Sequence, residues 1–151
     1  SLEPETYAGV DSETFDIPGH VVADGEALLV SLDFIKSGWD DDFENENDNL
    51  DVTFAYSRRF SHVVDIRAPE GYRFDRLPED VRAGKSPLVV TIDCERVPSG
   101  IRIVRKVKTR HGIYPHTFRD RFEETMQALR DQRALSLRLV PVAAASATSA
   151  R

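Results

Sequence analysis

Apolar residues recur along this chain at two spacings, and the change from one to the other divides it. From Leu28 the order is Leu-Leu-Val-Ser-Leu-Asp-Phe-Ile, so Leu28, Val30, Leu32 and Phe34 alternate with the period of two that places side chains on one face of a strand. Val52, Phe54 and Tyr56 repeat the pattern. Val64, Ile66 and Ala68 do so again, and Pro69-Glu70-Gly71 closes that run as a turn. Tyr72 to Leu77 reads as a short edge strand that stops at Pro78. Leu88, Val90, Ile92 and Cys94 alternate, as do Ile101, Ile103, Arg105 and Val107. Pro98-Ser99-Gly100 lies between them and predicts an antiparallel hairpin, with a turn longer than the tight two-residue kind. After Tyr114-Pro115 the spacing becomes helical. Phe118, Phe122, Met126 and Leu129 share one face and charges fill the other, which predicts an amphipathic helix over roughly 117–132. Thr117 is its expected N-cap, with Asp120 completing a weak capping box. Leu135, Leu137 and Leu139 then alternate as a closing strand ended by Pro141.

Six to seven strands with one late helix define a mainly β fold, an antiparallel β-sandwich with the helix packed at a face or end. Strands that bury one face only are typical of antiparallel sheets, and a parallel βαβ fold needs more helices than this. Residues 1–25 read as an N-terminal extension or linker, 26–142 as the β-sandwich domain with an acidic loop at 39–51, and 143–151 as a flexible Ala/Ser/Thr tail. No internal repeat interrupts this order. At 151 residues the chain is long enough to bury a substantial core, and a hydrophobic fraction of 40% argues against wholesale disorder.

Charge and cysteine content then narrow the function classes. A net charge of −6 argues against nucleic acid as the main partner, since phosphate binding needs a basic footprint. The single cysteine, Cys94, excludes an internal disulfide and a zinc site built on paired cysteines. No apolar run is long enough to cross a bilayer as a helix. The opening Ser1-Leu2-Glu3-Pro4 carries neither Met nor a signal-peptide pattern, and reads as a cut from a longer polypeptide.

From Val52 to Leu139 the order of features resembles a known bacterial family. The matching text is the strand ending Ala68-Pro69-Glu70-Gly71-Tyr72, then Leu77-Pro78-Glu79, the hairpin around Gly100, Tyr114-Pro115 leading into Phe118-Arg119 and the helix, and the closing leucine strand. In this order it is similar to the C-terminal β-rich domain of unknown function that follows the transglutaminase-like, papain-related core of large and often exported bacterial proteins. The resemblance implies an accessory domain whose partner is the upstream domain of the same polypeptide. It places the family's cysteine-histidine-aspartate machinery in that upstream core, and it suggests a periplasmic or cell-envelope location. No catalytic residue is carried over to this chain.

The residues that could carry chemistry each have a plainer reading. Cys94 continues the inward series Leu88, Val90 and Ile92, where a free cysteine packs as a small hydrophobe; a nucleophile needs an electropositive, partly exposed setting. The four histidines, His20, His62, His111 and His116, form no zinc-protease spacing and read as surface or capping residues. His111 and His116 flank Gly112 to Pro115 and could meet across a turn. The run from Asp40 to Asp51 offers many oxygen ligands, and Asp40, Asp42, Glu44, Glu46 and Asp48 are the calcium candidates. It lacks the glycine and glutamate of an EF-hand loop, so a solvated acidic loop is the simpler reading, with calcium as an irregular structural ion the alternative. Trp39 beside it is the best candidate for an exposed aromatic that contacts a glycan or peptide; the aromatics on alternating strands, Tyr56 among them, read as core. In the basic run, Val104, Lys106 and Lys108 share one strand face, whereas Arg105 falls on the other with Ile101, Ile103 and Val107. Pairing with acids on a neighbouring strand is the expectation there. The chain therefore reads as a non-catalytic accessory domain; the alternative is an independent envelope glycan- or peptide-binding module, calcium-stabilised or not.

Overall fold

The computed structural model describes residues 19–33 and 50–142, and both runs are dominated by strands. Among the described residues, two four-stranded antiparallel sheets share one apolar core with a single helix, so the fold is mainly β with one late helix, as the periodicity predicts. The first sheet has the order β1-β2-β10-β5: β1 is Val21–Asp24, β2 Ala27–Ser31, β10 Ser136–Pro141 and β5 Tyr72–Phe74. The second has the order β4-β8-β7-β6, from Arg58–Arg67, Gly100–Thr109, Leu88–Val97 and Val81–Lys85 respectively. A separate two-stranded ribbon pairs β3, Val52–Phe54, with β9, Gly112–Tyr114. Helix α1, Arg119–Arg133, packs on β6 and β7.

The second sheet owes its two-sidedness to the alternation along its strands. On β7 and β8 the inner positions Leu88, Val90, Ile92, Ile101 and Ile103 are wholly buried. Each such aliphatic side chain withdrawn from water contributes about 1.5–3 kcal/mol, which fixes the register, because a slip of one residue would turn the whole set to solvent. Phe60, Val64 and Ile66 of β4 pack on the same core. Phe122, Met126 and Leu129 cover it from α1, and Leu137 and Leu139 approach from β10.

Ten strands form among the described residues where the sequence predicts six or seven, and the additional ones are short. β1 has only Val21 and Val22 as large apolar residues, both exposed, and lies ahead of the boundary at residue 26; it is held by ladder pairing with β2. β6 offers only Val81 and Ala83 as inward residues, and β9 only three residues in all. Their pairing partners make them strands; their own periodicity is too brief to predict them.

Three local expectations are corrected. The β7–β8 ladder runs out to Val97 opposite Gly100, so only Pro98 and Ser99 form the turn, which is the tight two-residue kind. Gly100 belongs to β8, and a Cβ there would overlap the Ile66 carbonyl oxygen, so the glycine serves close strand approach. Thr117 is not the helix N-cap. The chain already coils in a 3-10 turn from His116 to Phe118, with Phe118 N–H donating to the Pro115 carbonyl oxygen at 2.8 Å, and α1 starts at Arg119 without a side-chain cap. Tyr56 is not core: β3 stops at Phe54, and Tyr56 is 68% exposed.

Candidate functional site

The candidate residues divide by location. Trp39, Asp40, Asp42, Glu44, Glu46 and Asp48 lie outside the described residues. Asp51, at the end of the acidic run, serves the fold. Its Oδ1 accepts the His116 backbone N–H at 3.1 Å, satisfying a donor at the start of the 3-10 turn. Among the described residues no group of three or more His, Cys, Asp or Glu side chains is placed to hold a metal ion.

Cys94 is half-buried on the inner side of β7 and packs against the core. Its backbone N–H donates to Asp80 Oδ1 at 2.8 Å. Burial first, then the negative charges of Asp80 and Asp93, push the thiol up to about 11. Both influences disfavour the thiolate, the reverse of what a nucleophile requires. His62 lies on β4, with β8 between it and β7. Two strand spacings amount to about 10 Å, well beyond the hydrogen-bond reach needed to activate a thiol.

The histidines are not gathered together. His111 and His116 stand at opposite ends of the extended strand β9 and do not meet. The His111 N–H donates to Ser57 Oγ at 2.9 Å. His20 Nδ1 lies 2.7 Å from Asp33 Oδ1 near the start of the first sheet. His62 faces inward, directly opposite Arg105 of β8, which in turn stands opposite Ile92 of β7. Its Nδ1 is buried without a hydrogen-bond partner among the described residues. Burial and, to a smaller extent, the Arg105 charge hold its pKa below the ordinary histidine value, favouring the neutral ring.

Arg105 is the outlier that the alternation of β8 foretells. It occupies an inner position between Ile103 and Val107 and is only 1% exposed. The outer positions of the same strand bear out the pairing expectation. Arg102 holds Asp65 through two hydrogen bonds of 2.7 and 2.9 Å. Asp93 pairs with Arg82 and, at 3.5 Å, with Lys106. These cations hold the Asp65 and Asp93 carboxyls below the ordinary aspartate range, chiefly through the hydrogen bonds from Arg102 and Arg82.

An open cleft of about 310 Å³ lies between the β6–β7 turn and α1. Gly84, at φ +76°, lines it, and a Cβ there would come within 2.6 Å of the Thr125 side chain; Lys85, Arg121 and Glu124 line it too. Among the described residues its lining includes no histidine, cysteine or paired carboxylates. Sequence reasoning passed over two buried polar groups. One is Gln132 of α1, 2% exposed, whose amide oxygen and nitrogen both lack a hydrogen-bond partner among the described residues. The other is the inward pairing of His62 with Arg105, which the alternation of β4 and β8 would have shown had the two strands been aligned in register.

Comparison with protein-family models, with curated proteins and with solved structures gives no match.

Proposed function

We propose that this chain is a non-catalytic accessory domain that supplies contact surface to a transglutaminase-like core in the same polypeptide. The observation that supports the non-catalytic part is the setting of Cys94. The one thiol is half-buried, raised to about 11, flanked by carboxylates and separated from His62 by an intervening strand. The polar groups described around it form intrasheet ion pairs and turn contacts, and none is arranged as a nucleophile with a base. The link to a transglutaminase-like core, and with it an envelope location, rests on the resemblance between Val52 and Leu139.

Deletion tests the proposal. Removing residues 19–142 from the parent polypeptide should lower the stability or the activity of the remaining core. A remainder that folds and works unchanged would contradict it. The alternative, an independent glycan- or peptide-binding module centred on Trp39 or on calcium, would rest on residues 39–48, which lie outside the described residues.

A further inference from the structure

The outer face of the second sheet carries a local excess of positive charge that the described residues do not neutralise. Residues directly opposite one another in a ladder project to the same face, and like charges there destabilise the pair. Arg59 of β4 stands directly opposite Lys108 of β8, and both are exposed. The next rung on that face pairs Ser61 with Lys106, and the β7 neighbours are Val89 opposite Lys108 and Thr91 opposite Lys106. Among the described residues no acid stands opposite Arg59 or Lys108 in the ladders, and neither makes a hydrogen bond or ion pair. Farther along the same face the charges are paired: Asp65 and Glu95 flank Arg102, and Asp93, opposite Val104, pairs with Arg82 and Lys106. Between the ends lies an apolar step, Val63 opposite Val104, with Val63 53% exposed.

We propose that this face is a docking surface for an acidic polypeptide segment, whose carboxylates meet Arg59 and Lys108 while its apolar residues cover Val63 and Val104. Charge complementarity selects the chemistry, and the uncompensated Arg59–Lys108 rung supplies the reason: an incoming carboxylate turns a standing repulsion into two attractions. The mixed far end selects polypeptide over nucleic acid. A phosphate backbone continuing along β8 would meet Asp65, Asp93 and Glu95 within about 20 Å, and the described residues of the face include no aromatic on which bases could stack. A peptide varies its charge along its length, and an exposed valine pair suits its side chains. The surface stands independently of any transglutaminase-like neighbour.

The test is fluorescence anisotropy of a labelled decaglutamate peptide titrated with the full chain at low ionic strength. Binding that weakens as salt rises is expected. Lys108→Glu should weaken it at least about tenfold, as should Arg59→Glu, whereas Arg67→Glu at the far end should leave it nearly unchanged. Lys108→Glu also places an acid opposite Arg59, so its melting temperature should hold or rise, which separates lost binding from lost folding. Absence of binding, equal loss with Arg67→Glu, or tighter binding of a single-stranded oligonucleotide of the same charge would overturn the proposal.

Discussion

Substitution of Gly100 by alanine sets two opposing effects against each other. Restricting the unfolded chain would favour the alanine variant by about 0.4–1 kcal/mol, because no left-handed backbone angle is needed at this position. Against this, the added Cβ would overlap the Ile66 carbonyl oxygen and lie 3.0 Å from the Arg67 Cα. Both are backbone atoms in the opposite strand, so relief requires β4 and β8 to separate at the Arg67–Gly100 rung. Overpacking of this kind costs about 1–3 kcal/mol, and with backbone as the obstacle the upper part of that range applies. The net result is a loss of about 1–2 kcal/mol. For a chain of 151 residues that lowers the melting temperature by roughly 2–4 °C per kcal/mol, followed by circular dichroism with urea denaturation as a second measure. Ser99→Ala, one residue away with its side chain exposed, is the control and should change little. A Gly100→Ala variant as stable as the parent, or more so, would refute the close approach of β4 to β8 and with it the ladder that sets the inner face.

Three further outcomes follow from the polar groups. Iodoacetamide should label Cys94 in the folded protein about a hundredfold more slowly than an ordinary thiol at pH 8, because a thiol at about 11 holds correspondingly less thiolate than one at 9.0; rapid labelling would contradict its setting. Gln132→Met, which removes a buried amide without partners and nearly conserves volume, should raise stability by about 1 kcal/mol in urea denaturation, and a loss would mean the amide is satisfied. His62 has a folded pKa below its unfolded value, so the unfolded chain takes up a proton that the folded protein resists, and stability falls as pH drops through the ordinary histidine value toward the folded one. His62→Gln should flatten the decline in melting temperature between about pH 7 and 5; an unchanged slope would exclude His62 as its source. Asp65 and Asp93 act in a separate window. Their depressed values give stability that is present above the ordinary aspartate value and lost as pH falls through the lower folded values.

What the sequence revealed follows the length of each alternating run. β7 and β8, ten residues each with four or more inward positions, were legible down to the anomalous inward placement of Arg105. The helix was legible because Phe122, Met126 and Leu129 repeat at its period, while its start was not: the capping pattern at Thr117 and Asp120 has no means of showing that a 3-10 turn precedes α1. β1, β6 and β9 have at most two inward apolar residues each, and their existence depends on pairing partners elsewhere in the chain. For the same reason the Arg59–Lys108 rung was invisible. Each residue alone is an ordinary exposed cation, and only the register between β4 and β8 sets them face to face. Cys94 was legible as a core residue from alternation, but the part played by Asp80, fourteen residues earlier, in raising its pKa required the fold.

The most direct test of the proposed accessory role is calorimetric titration of this chain with the separately expressed upstream core that the proposal assigns to the same polypeptide. Saturable binding is expected. A well-folded core that gives no heat with this chain, across salt concentrations and temperatures, would contradict the accessory role.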